Sequence, residues 1–340
     1  MTEQTLPKGA AAEESLRNYF LSIGYFVVRG AKFTFGKFDV TDVDLWLYAR
    51  NSPLSRERVC VDIKNKKTPQ ALERIFWAKG LQAVLELDAC IVATTDTRPD
   101  VSEFGRQHNV KVLDGKFLSR LNKSARSHKD RISEEDFLSE LNNESLGRLG
   151  GNWRGRYDES KSRLLKSLNF DGCNAWLTDI EYIITQIASG IPAWRLLYIT
   201  TSHLMIAMDF ILREFITENQ EQRRKIIEKG IRYGVSGEAF TEKVGSMAAA
   251  LVESIAAQPG LSDTLQRELR NQAANVGAEI LGEYFSKNLS SSTLFEIAMI
   301  FEASAFSPAV HNSSFLPGQA QTVLGILADF NGIDRKKILV

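Results

Sequence analysis

Cysteine is scarce in this 340-residue chain: Cys60, Cys90 and Cys173 are the whole supply, and they stand in no metal-ligand spacing. So small and odd a set excludes a disulfide framework and a structural zinc site. The first two sit in apolar, strand-like runs, and all three read as reduced core thiols. Net charge is also missing, because Lys plus Arg and Asp plus Glu both number 42. A basic surface over the whole chain is thereby excluded, and any footprint for a polyanion must be local. Positions 1 to 130 hold about 21 basic and about 16 acidic side chains, a weak asymmetry toward such a partner. No G-x-x-x-x-G-K-[ST] phosphate loop is present, as Gly115-Lys116-Phe117 shows, so nothing supports an ATP-driven function. His128-Lys129-Asp130 lacks the His-x-Lys spacing of phospholipase-type chemistry, and His203 and His311 have no partner at ligand spacing. Uninterrupted apolar runs are absent as well. The longest, Ile191 to Leu212, contains Arg195, His203 and Asp209, so no membrane span is expected. No apolar segment follows Met1-Thr2-Glu3-Gln4; no secretory signal is expected and the expected location is cytoplasmic.

What is present is ordinary globular material, 44% hydrophobic and 25% charged, long enough for two domains. Ala10 to Ile23 has helical periodicity with Gly24 as its C-cap, and Tyr25 to Arg29 reads as a short strand. Phe38 to Ala49 and Arg58 to Lys64 alternate as a strand pair around a turn at Asn51-Ser52-Pro53. Thr68-Pro69 opens a helix running to about Leu87, with Leu72, Ile75, Phe76 and Val84 available for burial. Ala89 to Thr94 is a strand, Pro99 to His108 a helix, Val110 to Leu113 a strand and Gly115 to Leu121 a small helix. The order predicts an α/β layer fold, a mixed sheet flanked by helices, over 1–125. Asn122 to Arg131 reads as a polar linker. Ser133 and Asp136 form a capping-box pattern opening a helix that Gly150-Gly151 closes. Residues 126–340 read as an all-helical domain, with segments near 158 to 168, 174 to 189, 192 to 217, 236 to 257, 261 to 287, 291 to 305 and 318 to 330.

The chemistry concentrates in the first domain. Asp62-Ile63-Lys64 continues the apolar run Val59-Cys60-Val61, and Asp44 lies in Val43-Asp44-Leu45-Trp46-Leu47. Charge at such positions is expensive unless it is paired or holds a metal. Alternate strand residues share a face, so Asp62 and Lys64 point the same way, roughly 7 Å apart along the strand. Asp44 and Asp62 on neighbouring strands, with the Ile63 carbonyl, offer hard oxygen ligands that suit Mg²⁺, with Mn²⁺ as a substitute. Lys64 can hold an attacking water or a scissile phosphate. Positions 13, 16, 20 and 23 share one helical stripe, so Glu13 joins the face that Leu16, Phe20 and Ile23 bury, while Glu14 is expected in solvent. Asp42 shares its strand face with Asp44, so either acid satisfies the pattern. Lys66 and Lys67 form a basic cluster suited to a phosphate backbone or simply to a solvated strand end. Lys79, on the helix that follows, joins them as an expected nucleic-acid contact if it faces the site, the other reading being an exposed helix lysine. A cross-strand surface pair is the plainer account of Asp62 and Lys64.

These residues resemble the PD-(D/E)XK nuclease superfamily over about positions 8 to 121. Gly9-Ala10-Ala11-Ala12-Glu13-Glu14-Ser15-Leu16, running on to Ile23-Gly24-Tyr25-Phe26-Val27-Val28-Arg29, is similar to the opening of Holliday-junction resolvases. Val43-Asp44-Leu45 resembles their strand aspartate and Val61-Asp62-Ile63-Lys64 their (D/E)XK strand. Ile91-Val92-Ala93-Thr94-Thr95 and Val112-Leu113-Asp114-Gly115 look like the tail of Mrr-type restriction endonuclease domains. The proline of the motif name is missing before Asp44. The resemblance implies a restriction-endonuclease-like domain in which Glu13, Asp44 and Asp62 bind the metal and Lys64 assists the nucleophile. The implied activity is Mg²⁺-dependent hydrolysis of phosphodiester bonds, in DNA ahead of RNA. A non-catalytic nucleic-acid-binding or regulatory module on the same fold is the other reading, with the helical half as sensor, partner platform or homodimer interface.

Overall fold

The computed structural model describes residues 6–65, 70–124, 130–143, 152–256, 260–274, 276–287 and 293–339. They fall into two compact units, one of residues 1–166 with 305–310 and one of residues 167–304 with 311–340.

Period-two apolar patterning fixes the layers of the first unit. Its sheet has the order β1 (Phe26–Phe35), β2 (Phe38–Ala49), β3 (Glu57–Lys64), β4 (Ala89–Thr94) and β5 (Lys111–Leu113). The first three strands are antiparallel and the last three parallel. Leu45, Leu47, Val59, Val61, Ile63, Ile91 and Ala93 line one face, where they pack on Leu16 and Phe20 of α1 (Lys8–Ser22) and Leu118 of α4 (Gly115–Ser124). The intervening residues, Cys60 and Asp62 among them, turn toward α2 (Ala71–Val84), with α3 (Pro99–Gln107) beside it. The mixed sheet flanked by helices is thus as the sequence implies.

Several details differ. β1 continues to Phe35, because pairing with β2 as far as Phe35 and Phe38 recruits residues whose own pattern is weak. The buried face of α2 is Ala71, Ile75 and Ala78, whereas Leu72, Phe76 and Val84 are exposed. Alanines at i and i+7 on either side of Ile75 let that helix lie close to the sheet, which leaves Leu72, Phe76 and Val84 outside. Ile23 is exposed and Glu14 is buried, the reverse of the expectation for α1.

The unit also runs past position 125, where linker composition suggested a boundary. Residues 125–129, with His128, lie outside the described residues, as does Gly150-Gly151. Helix α5 (Glu134–Asn143) opens on the expected cap, with the Asp136 N–H donating to Ser133 Oγ at 3.1 Å. Helix α6 (Trp153–Lys166) lies along β1, its Lys161 amine donating to the Arg29 carbonyl at 3.2 Å. Phe137 stacks on Phe306 with ring centroids 4.8 Å apart, which brings 305–310 into this unit.

The second unit is helical: α7 (Phe170–Thr185), α8 (Ile191–Leu212), α9 (Gln220–Tyr233), α10 (Gly237–Ala256), α11 (Leu261–Ala274), α12 (Ala278–Lys287), α13 (Thr293–Ala305) and α14 (Gly318–Phe330). Helix α8 with the turn after it is long and apolar enough to cross a membrane by composition, yet its most apolar window is wholly buried inside the protein. Apolar residues on every side of a helix are what a central core helix requires. Helix α9 escaped the sequence reading because half of its residues are charged; Asn219 and Gln222 cap it reciprocally. The expected single segment 261 to 287 is two helices, separated around Gly277, which adopts a φ of 60°.

Candidate active site

The β2–β3 ladder ends at the Leu45 and Val61 pair. Beyond it a side chain takes the place of backbone: Asp44 Oδ2 accepts the Ile63 N–H at 2.6 Å. The N–H and C=O of a strand residue point to the same edge, so the Ile63 carbonyl also faces β2. Across β2, Gly30 adopts a φ of 61° between the pairs Arg29–Leu45 and Ala31–Val43. That left-handed conformation favours glycine and bends β1 at the level of Asp44. Asp42, by contrast, is exposed and paired across from Lys32, so Asp44 is the acid directed into the site.

Burial pushes the Asp44 carboxyl up to about 6. The Ile63 N–H pulls it back, the Asp62 and Glu13 charges raise it, and the Lys64 ammonium lowers it. Glu13, Asp62 and Lys64 are therefore each near enough for their charge to bear on Asp44, which meets the carboxyl end of β3. Lys64 is half-buried and, among the described residues, makes no ion pair. A cavity of about 370 Å³ lined by Ala12, Asn65, Thr95 and Gly115 opens at the same end of the sheet.

Each acid nevertheless holds a donor from the protein. Asp62 is only 6% exposed and is gripped at both oxygens by the Arg74 guanidinium, Nε at 2.7 Å from Oδ2 and Nη2 on Oδ1. Glu13 accepts from Arg29 Nε at 2.7 Å. Among the described residues no three His, Cys, Asp or Glu side chains stand ready to enclose a metal ion. Asp44 lies within reach of the Asp62 and Glu13 charges, and arginines occupy those two.

Arg29 and Arg74 were missed in the sequence reading. Arg74 carried a signal, since positions 71, 74, 75 and 78 share one helical face, and that face is the buried one. Arg29 carried less. Its partners besides Glu13 are Glu14, at 2.9 Å, and Glu135, which it meets with Nη1 and Nη2 at 2.9 and 2.7 Å. Burial opposes the Arg29 cation, yet Glu135, Glu14 and Glu13 hold its pKa above the ordinary arginine value. Glu14, expected in solvent, is drawn inward by Arg29 and by the Glu134 N–H, which donates to it at 3.0 Å.

Lys79 lies elsewhere on α2. Its ammonium donates to Gln82 Oε1 at 2.7 Å and its charge bears on the Cys60 and Cys90 thiols. Burial pushes the Cys60 thiol up to about 12, so it is a core group and no nucleophile. Lys66 and Lys67 fall outside the described residues. Comparison of the chain with protein-family models, with curated proteins and with solved structures gives no significant match.

Proposed function

We propose that the first unit is a divalent-cation-dependent nuclease that hydrolyses phosphodiester bonds, in DNA ahead of RNA, on a PD-(D/E)XK-like plan. The observation that carries this reading is that partly buried Asp44, bonded to the Ile63 N–H at the end of β3, lies within reach of the charges of Asp62, Glu13 and Lys64. A cluster of carboxylates beside a backbone carbonyl suits a hard cation such as Mg²⁺ or Mn²⁺. Asp44, Asp62 and Glu13 would hold it with the Ile63 carbonyl, once Asp62 is released from Arg74. The cation would supply positive charge against the developing phosphorane and ease ionisation of the attacking water. Lys64 would hold that water or a phosphate oxygen, and Lys66 and Lys67, next in sequence, would follow the backbone phosphates.

A gel assay of the full chain against labelled duplex, single-stranded and junction DNA and RNA tests the proposal, run with Mg²⁺, Mn²⁺ or EDTA. Cleavage is expected with metal alone, falling about 100-fold or more in Asp62→Ala and Lys64→Ala while their circular dichroism is retained. Full cleavage by both variants sinks the mechanism. The bidentate Asp62–Arg74 pair favours a second reading, a nucleic-acid-binding module without turnover. Salt-sensitive binding with no cleavage in either metal would select it.

A further inference from the structure

Arg74 is, among the described residues, the one group that meets both oxygens of a proposed metal ligand, and its surroundings suit a second position. Its side chain is 22% exposed against 6% for Asp62, so the guanidinium sits at the mouth of the site and the acid at its floor. Its Cζ lies 5.5 Å from the centre of the half-exposed Trp77 ring, an aromatic surface on the same helix over which a guanidinium is stable. The planar fork that fits a carboxylate at two points fits a phosphate equally well.

We propose that Arg74 is a phosphate-binding residue that exchanges the Asp62 carboxylate for a backbone phosphate of nucleic acid, so that nucleic acid and divalent cation favour each other's binding. This rests on the nuclease reading for the identity of the anion. Exchange of partners links the two ligands. Buried Asp62 cannot lose Arg74 without a replacement charge, and a cation cannot take Asp62 while Arg74 holds it. Phosphate alone draws Arg74 off and strands a buried carboxylate; cation alone displaces Arg74 without giving it a new partner. Bound together, each supplies what the other removes, which is positive linkage, typically 5- to 150-fold and equal in both directions.

The experiment measures the dissociation constant of the full chain for a labelled DNA duplex by anisotropy, with and without Ca²⁺ at constant ionic strength. Calorimetry of Ca²⁺ binding in the absence of DNA accompanies it. For the unaltered protein Ca²⁺ should tighten DNA binding about tenfold or more. In Arg74→Ala the coupling should fall to about twofold or less, with weaker metal-free DNA binding and tighter Ca²⁺ binding without DNA, because Asp62 is then free. Arg74→Lys, which keeps the charge and loses the fork, should be intermediate and serves if the alanine variant does not fold. Equal coupling in all three proteins overturns the inference. So does tight Ca²⁺ binding by the unaltered protein without DNA. Metal-dependent cleavage with undiminished coupling in Arg74→Ala removes this role and leaves the nuclease reading intact. Coupling that depends on Arg74 without cleavage supports the exchange and removes the nuclease.

Discussion

Glu134 stands at the centre of the charge network that joins α5 and α6 to the sheet, and Glu134→Gln measures what that network contributes. The carboxylate is 5% exposed and accepts from Lys161 Nζ at 2.9 Å, Tyr157 Oη at 2.8 Å and Arg17 Nη1 at 3.1 Å. Burial pushes its carboxyl up, but the Lys161 and Arg17 charges and the bonds from Lys161 and Tyr157 outweigh it and bring the pKa down to about 2 from an ordinary 4.5. At about 1.4 kcal/mol per unit, that depression stabilises the fold by about 3 kcal/mol at neutral pH. Glutamine keeps a carbonyl acceptor but takes the nearest counter-charge from two buried cations, leaving Arg17 with Glu14 at 3.5 Å and Lys161 with Asp158 at 3.6 Å, so the loss falls at the low end of about 3 to 5 kcal/mol. The two routes agree. A depressed carboxyl contributes fully above its unfolded value and loses the contribution as pH falls through the folded one, so the difference between the proteins should shrink between pH 4.5 and 2. Since the chain has two units, the readout must be local: hydrogen exchange of β1 and α6 peptides along a urea series. With a slope of about 2 kcal/mol per molar, the midpoint for these peptides should drop by about 1.5 M at pH 7. A drop under about 0.5 M, or one unchanged by acid, would refute the reasoning.

Asp44→Asn should stabilise the metal-free protein above pH 6. A carboxyl raised from 3.8 to about 6 holds its proton longer when folded, so stability falls as pH climbs through that interval. After discounting for partial exposure the gain is about 2 kcal/mol, since asparagine still accepts the Ile63 N–H; melting curves at pH 5 and 8 that show no pH-dependent gain contradict it. Gly230→Ala sets two effects against each other. Alanine raises helix propensity by about 1 kcal/mol, but its Cβ would enter the Phe170 ring, which lies against Gly230 of α9. Overpacking of about 1 to 3 kcal/mol should win, and a melting temperature above that of the parent would show that the ring yields.

Charge inside apolar runs made Asp44, Asp62 and Lys64 legible, because only pairing or an ion explains it. The strands that carry them were legible for a related reason: β2 and β4 alternate or are β-branched between clear turns, and both lie within the expected bounds. What was not legible depends on partners remote in sequence. The burial of Glu14 follows from Arg29 and from Glu134, 120 positions away. The inward face of α2 follows from closeness of approach to the sheet, a matter of side-chain size that a search for large apolar residues inverts. The exposed charge of α9 hid a helix that its Asn219 and Gln222 cap would have revealed.

The two arginines at the site are not equivalent, and the difference assigns them different consequences. Arg29 makes four hydrogen bonds to three glutamates, and Glu13 receives one of them. If Glu13 turns toward a cation, Arg29 keeps Glu14 and both oxygens of Glu135, and no buried charge is left alone. The loss is one charge-assisted bond, about 1.5 to 3 kcal/mol before any gain from the ion. Arg74 directs both of its side-chain hydrogen bonds among the described residues to Asp62. Releasing Asp62 breaks the whole pair and strands a carboxylate that is 6% exposed, a cost of about 3 to 5 kcal/mol unless both partners are replaced together. On the nuclease reading, Glu13 would therefore follow an ion passively, whereas Asp62 would not, and the step that opens the site would lie at Arg74.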